Sequence, residues 1–318
     1  MKAEQLITLK NNSIQLIILP FAGGRVVSVS VNESANLLSS DTRLWNYEFP
    51  KPVASYTGYD FMQFRGHTTW LGPQSEWWLH QNKVPGKKAK KDVWPPDPFW
   101  EYGNFEVLQQ TDNSVCLLGE KSCYTGVQLK KKYTLLPNNT VEVFVEATNI
   151  SDAPVAWDIW LNTRLPEHCK CYVPVPANGL QKIEALPNDE EMAYQIVDGF
   201  FTFKTSSPSK NANQKSAKAF LTPSHPYIFA FNQGYLFVIK FEEFATNKVH
   251  PEHAKVEIFN AKTHKDNEGL LELEYHSAYQ KIQPQKSITA QVTWCFKKYD
   301  GAATTQAQLN FIRAHFAL

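Results

Sequence analysis

Residues 129–149 read LKKKYTLLPNNTVEVFVEATN, two runs of period-two alternation on either side of Pro137-Asn138-Asn139. Successive side chains of a strand point to opposite faces, so alternation of this kind marks strands, and a Pro-Asn-Asn step between two of them marks a hairpin. The same grammar recurs along the chain. VVSVSV (26–31) sets Val27, Val29 and Val31 on one face, with Ser28 and Ser30 on the other. YIFAFNQGYLFVIKF (227–241) is a second hairpin with Asn232-Gln233-Gly234 at its tip. KVEIFNA, GLLELEYHSAY and SITAQVTWCF add further strands. Short strands separated by turn signals throughout predict an all-β sandwich or barrel. Helix is scarce and is expected at the C-terminus, where Leu309, Ile312 and Phe316 share a face.

Two segments interrupt the strands, at 83–100 and 204–218. The second is polar and low in complexity, and is expected to be a mobile surface excursion. The Lys87–Lys91 cluster of the first is read as a solvated face rather than an anion site. Strands of one style continue on both sides of each, so neither marks a domain boundary.

Composition narrows the class. A chain of 318 residues, 43% hydrophobic and 20% charged, can bury one large core as a soluble globular protein. A formal net charge of +1 supplies no field that would draw nucleic acid or an anionic membrane. The apolar runs are strand-length, too short to span a bilayer. Aromatic residues make up 13% of the chain, nine of them tryptophans, which favours β structure and offers flat platforms for the C–H faces of sugars. Five cysteines without a CxxC pair are read as free thiols. The opening MKAEQLITLKNNS lacks the apolar core of a signal peptide, so a cytoplasmic protein is expected, or a periplasmic one whose leader has been removed.

Three stretches could carry chemistry. FRGHTTWLGPQSEWWLHQ (64–81) crowds Arg65, His67, Trp70, Gln74 and Glu76 between glycines at 66 and 72, without helical or strand rhythm. A loop that carries a site is the functional reading; a buried irregular segment plugged by tryptophans is the plain one. Within it His67 could serve as a general acid and Arg65 as a clamp on an oxygen. The second stretch is APVAWDIWLNTRLPEH. Extended, it points Val155, Trp157, Ile159 and Leu161 one way and Asp158, Trp160, Asn162 and Arg164 the other. Sugar hydroxyls donate to Asp, exchange hydrogen bonds with Asn and accept from Arg while a sugar's apolar face stacks on indole, so this second face suits a saccharide. The third is LLELEYHSAYQ, with Leu271, Leu273 and Tyr275 inward and Glu272, Glu274 and His276 opposite. A carboxylate two residues from an imidazole on one face can act as an acid–base pair.

Other chemistries lack their motifs. No GxSxG elbow, Walker loop or GxGxxG fingerprint occurs. EHCKC (167–171) and HPEH (250–253) hold metal-capable side chains, but neither has the paired spacing of a structural zinc site. No cofactor and no metal is expected.

Taken in order, GGRVVSVSVNESANLL, RGHTTWLGPQSEWW, WPPDPFWEYGNFEV, ATNISDAPVAWDIWLNTRL and GLLELEYHSAYQKIQPQKSITAQVTW resemble the galactose mutarotase-like superfamily, and more closely an uncharacterised bacterial branch of it. The matching order runs from about residue 12 to 296. The resemblance implies an all-β antiparallel supersandwich with few helices, residues 1–318 forming one domain and a sugar site lying on one sheet. In aldose 1-epimerases of this superfamily a late-strand glutamate removes the anomeric proton while a histidine protonates the ring oxygen. By position Glu274 matches that base. Where those enzymes carry their histidine, this chain reads WDIWLNTR, so the acid role falls to His67 or His276.

Three functions remain open on these residues. The leading one is a carbohydrate-binding protein, with Arg65, Trp70, Gln74, Asp158, Trp160, Asn162, Arg164 and His276 contacting a sugar or sugar-acid end. The second is an aldose 1-epimerase-type isomerase using Glu274 and His67. The third is a relative of polysaccharide lyases or glycoside hydrolases, for which Tyr275, His276, Asn162 and Arg164 supply the residue types. The expected partner is a saccharide, with no nucleic acid and no membrane span.

Overall fold

The computed structural model describes residues 6–46, 52, 61–204, 214–262 and 269–318. Most of the excursion expected at 204–218 lies outside them. Among the described residues two large sheets form, one of eleven strands and one of ten. Almost every pairing is antiparallel; the short Glu190–Glu191 segment, parallel to its partner, is the exception. The fold is the all-β supersandwich that the alternation and the resemblance imply.

Five strands at the centre of the eleven-stranded sheet matter most and are labelled in chain order: β1 (His67–Gly72), β2 (Val155–Leu165), β3 (Lys215–Leu221), β4 (Val256–Lys262) and β5 (Leu270–His276). Their order across the sheet is β1-β2-β5-β4-β3. One face packs against the second sheet, where Leu71, Ile159 and Leu273 share a core with Val143, Val292 and Trp294. The C-terminal helix Thr305–His315 buries Leu309 and Ile312 in a separate cluster with Tyr172, Phe229 and Val238 of the second sheet. Phe316, at the helix cap, packs on the same cluster.

The two hairpins form as expected. Leu136 pairs with Thr140 around the 137–139 turn, and Asn232 pairs with Tyr235 around Gln233-Gly234, both of which take positive φ. One face assignment needs correction. Ile17 pairs with Ser28 but Ile18 pairs with Val26, so Val27 is the extra residue of a bulge. The parity changes there: Val26 joins Val29 and Val31 in the inter-sheet core, and Val27 packs instead with Leu19, Phe64 and Tyr102.

The stretch that looked arrhythmic contains β1, a central strand rather than a loop. Its pattern is hidden because every residue from His67 to Gly72 is buried, on both faces. Gly66 enters it at φ +71°, where a Cβ would lie 2.3 Å from the Val26 carbonyl oxygen. Gly72 closes it under Asp158, whose Oδ1 would be 2.6 Å from a Cβ there.

Among the described residues beyond β1 are two short helices that the sequence reading missed, Pro85–Lys90 and Pro98–Glu101. Asp97 caps the second, accepting from the Phe99 N–H at 2.9 Å, and also accepts from the hydroxyls of Ser122 and Thr125. Burial pushes this carboxyl up from 3.8 to about 6 against those hydrogen bonds. Asp97→Ala strands three donors and should cost about 2–3 kcal/mol. A raised carboxyl contributes stability in full below its unfolded pKa and loses it as pH rises through its folded pKa. The deficit of Asp97→Ala, measured by denaturant unfolding, should therefore be larger at pH 4 than at pH 7.5. An equal or reversed deficit would show that Asp97 ionises freely in the fold.

Candidate functional site

The face of β1, β2, β5 and β4 that points away from the second sheet carries a polar row at a single register. Thr68 pairs with Asn162, Asn162 with Glu274, and Glu274 with Glu257. One step along, Trp70 pairs with Trp160 and Trp160 with His276. One step the other way, Arg164 pairs with Glu272. Alternation put these side chains on one face, and strand pairing brings them together from positions about a hundred residues apart.

The indoles order the middle of the site. Trp70 and Trp160 meet edge to face at 5.0 Å, and Trp160 stacks on His276 at 4.9 Å. The Arg164 guanidinium lies 5.0 Å over the Trp70 ring while its Nε donates to Glu272 at 2.6 Å. Trp70 Nε1 donates to Glu101, which is delivered by the short helix Pro98–Glu101 and is paired with Arg25 at 2.5 Å. Burial opposes the charge on Glu101, but Arg25 and Arg164 outweigh it and hold the carboxyl below its ordinary value.

Charge concentrates on the β5–β4–β3 side. Lys218 of β3 reaches Glu257 at 2.6 Å and Glu274 at 3.0 Å, with its ammonium 4.8 Å above the Trp160 ring. Trp160 Nε1 also donates to Glu274 Oε2 at 2.7 Å. That oxygen therefore has two donors, whereas Glu274 Oε1 is buried without a hydrogen-bond partner. Burial pushes Glu274 up to about 7 against the pull of Lys218. Glu257 also resists ionisation through burial, yet Lys218 and His276 hold it well below the usual carboxylate range. His276 sits 3.2 Å from Asp158 and 3.6 Å from Glu257. Burial disfavours its charge, but the two carboxylates outweigh this and raise it to about 9.

Seven of the residues singled out in the sequence converge here: Trp70, Asp158, Trp160, Asn162, Arg164, Glu274 and His276. Trp157 is buried on the opposite face, as the strand reading requires. His67 does not join them. It occupies the other parity of β1, with Nδ1 2.9 Å from Thr163 Oγ1 and its ring edge-on to Trp294 of the second sheet at 4.9 Å. Burial, aided by Lys131, Arg164 and Arg25, holds it well below the ordinary histidine value, so it is a neutral core residue. Tyr275 likewise faces away, stacked on Phe241 at 4.9 Å with its hydroxyl donating to the Glu242 carbonyl. Arg65 precedes β1 and reaches Ser39 Oγ at 3.1 Å, while Gln74 lies in the turn Gln74–Glu76 beyond the end of β1. Lys218, Glu257 and Glu101 are the members that sequence reasoning missed, and His253, noted there only as metal-capable, stacks on His276 at 4.0 Å. The only local signal for Lys218 and Glu257 is a charge standing between apolar neighbours in KSAKAFL and VEIFNAK.

Comparison with known proteins bears on the fold. The fold matches a galactose mutarotase-like protein from Lactobacillus casei with a TM-score of 0.58 at 9% identity, over 92% of this chain and 100% of that one. A galactose mutarotase related enzyme from Lactobacillus acidophilus matches at TM-score 0.53 and 10% identity, over 94% and 100%. An aldose epimerase homologue from C. elegans matches at 0.51 and 13%, over 93% and 99%. At such identities the likeness is one of fold. No curated protein sequence matches the chain. The family model described as a domain of unknown function, DUF4380, matches residues 4–297. Since that match spans nearly the whole chain, the protein belongs to the DUF4380 family, built on a galactose mutarotase-like fold.

Proposed function

We propose that this protein binds a saccharide on the outer face of β1, β2, β5 and β4. The observation that carries the reading is the polar row. Thr68 Oγ1, both amide atoms of Asn162 and Glu274 Oε1 are buried without a hydrogen-bond partner in the described chain, and they lie on adjacent strands at one register. Buried polar atoms are rarely left unpaired, and a hydroxyl, an amide and a carboxylate side by side offer what vicinal sugar hydroxyls need. Trp160 flanks the row on one side and Arg164 on the other, supplying an apolar wall and a charged donor. Lys218 and Glu272, with side chains 22% and 16% exposed, are where a ligand would come in.

The neighbouring folds include mutarotase-related proteins, which makes turnover the second reading. It is favoured by Glu274, whose Oε2 is fixed by two donors while Oε1 is left to face a substrate. Binding comes first because epimerisation wants an acid and a base on opposite sides of one ring. His67 lies on the other face of the sheet, and the nearest ligating atoms of His276 and Glu274 are within 4.8 Å of each other on the same side. The lyase reading loses Tyr275 to the core.

Calorimetric titration with a panel of neutral and acidic mono- and oligosaccharides tests the proposal. At least one should bind the wild type, and Asn162→Leu should weaken it tenfold or more, roughly the 1.5–3 kcal/mol of hydrogen bonds to a buried charged or polar partner. A panel that gives no heat with folded wild type would remove the binding reading.

A further inference from the structure

We infer that Asp158, His253 and His276 form a binding site for a divalent transition metal ion of the zinc type. Each offers one ligating atom, all three side chains are buried, and the three atoms lie within 4.8 Å of one another. Metal–ligand bonds of about 2.0–2.2 Å place tetrahedral ligands roughly 3.4 Å apart, so a contraction of about an ångström or so completes the site. His253 can supply that movement. It belongs to the turn begun by His250, whose carbonyl accepts the His253 N–H at 2.9 Å, rather than to a strand.

The hydrogen bonds around His253 assign its tautomer. Glu257 Oε1 accepts from the Ala254 N–H and faces His253 Nδ1, both at 3.0 Å. An ionised carboxylate only accepts, so Nδ1 carries the proton and the lone pair is on Nε2, which is buried without a partner. Asp158 Oδ2 is buried without one too. A carboxylate that fixes the far nitrogen of a histidine is the outer-shell arrangement that metal-binding imidazoles use. Two imidazoles and one carboxylate suit zinc, iron and their neighbours better than magnesium or calcium, which prefer oxygen ligands.

A second group of ligating atoms, Glu257, Glu274 and His276, is equally compact, but Lys218 at 2.6 and 3.0 Å already holds its carboxylates. The HPEH segment had no partner at zinc spacing within the sequence. Its partners are Asp158 and His276, brought to it by strand pairing, with the two imidazoles stacked at 4.0 Å.

The test needs no saccharide, so it stands or falls apart from the proposed function. Chelator-treated full-length protein is titrated with zinc and, separately, with cobalt. One equivalent of zinc should bind at micromolar protein, and cobalt should give visible ligand-field bands without the near-ultraviolet charge transfer of a thiolate. That spectrum excludes capture by Cys169 and Cys171. His253→Ala should weaken binding a hundredfold or more, Glu257→Gln about tenfold through the lost outer-shell contact, and His250→Ala should leave it unchanged. X-ray absorption of the zinc-loaded wild type should show two imidazoles, which decides the matter even if a variant fails to fold. No stoichiometric binding, a thiolate spectrum, or full affinity in folded His253→Ala overturns the site.

Discussion

Lys218→Met is expected to destabilise the fold by about 3–5 kcal/mol, the range for stripping one partner from a buried charge pair. The ammonium is 2.6 Å from Glu257 and 3.0 Å from Glu274, and both carboxylates are fully buried. Methionine keeps the length and packs on the Trp160 ring, so the loss isolates charge from volume. The lysine side chain is 22% exposed, and water reaching it screens part of the interaction, which favours the lower end of the range. A double-mutant cycle supplies the internal check. Lys218→Met combined with Glu274→Gln removes one of the two stranded carboxylates and should recover a good part of the loss. Denaturant melts of the four proteins measure this. Strict additivity would mean that Lys218 and Glu274 do not interact in solution.

Local pattern revealed some of these features and hid others for identifiable reasons. β2 and β5 were legible because aromatic and charged residues alternate with aliphatic ones, and that rhythm survives although both faces are buried. β1 was not legible: His67 and Thr69 face the inter-sheet core while Thr68 and Trp70 face the other way, so polarity does not report direction. The same ambiguity put His67 among the candidate acids. Only its contact with Trp294, a residue of the other sheet, resolves its side. The bulge at Val27 is set by the partner strand, which the segment itself does not encode. Lys218 and Glu257 read as ordinary strand charges. Their importance arises from pairing β3 with β4 and β4 with β5, a register that no single segment contains. His253 was visible as a metal-capable side chain in HPEH, but its neighbours across the sheet were not.

Glu274→Gln separates binding from turnover. The amide is nearly isosteric, and its oxygen can still accept from Trp160 Nε1 and Lys218 where Oε2 does so at 2.7 and 3.0 Å. The amide nitrogen then stands where Oε1 was, able to donate to a ligand hydroxyl but unable to take a proton. Lys218 keeps its nearer partner, Glu257, so the fold should hold and a thermal melt should confirm it. Saccharide affinity is expected to stay within several-fold of wild type. If wild type speeds the exchange of anomers, followed by polarimetry, the variant should lose about a hundredfold or more of that acceleration, the usual cost of losing a positioned base. Acceleration that survives the substitution would take the base role from Glu274 while leaving the binding face intact. Wild type that binds a sugar and yet leaves its anomers to exchange at the solvent rate would fit the geometry best. On the proposed reading the polar row, the indoles and Arg164 hold a ring, but His67 is on the wrong side of the sheet to serve as the acid that ring opening requires.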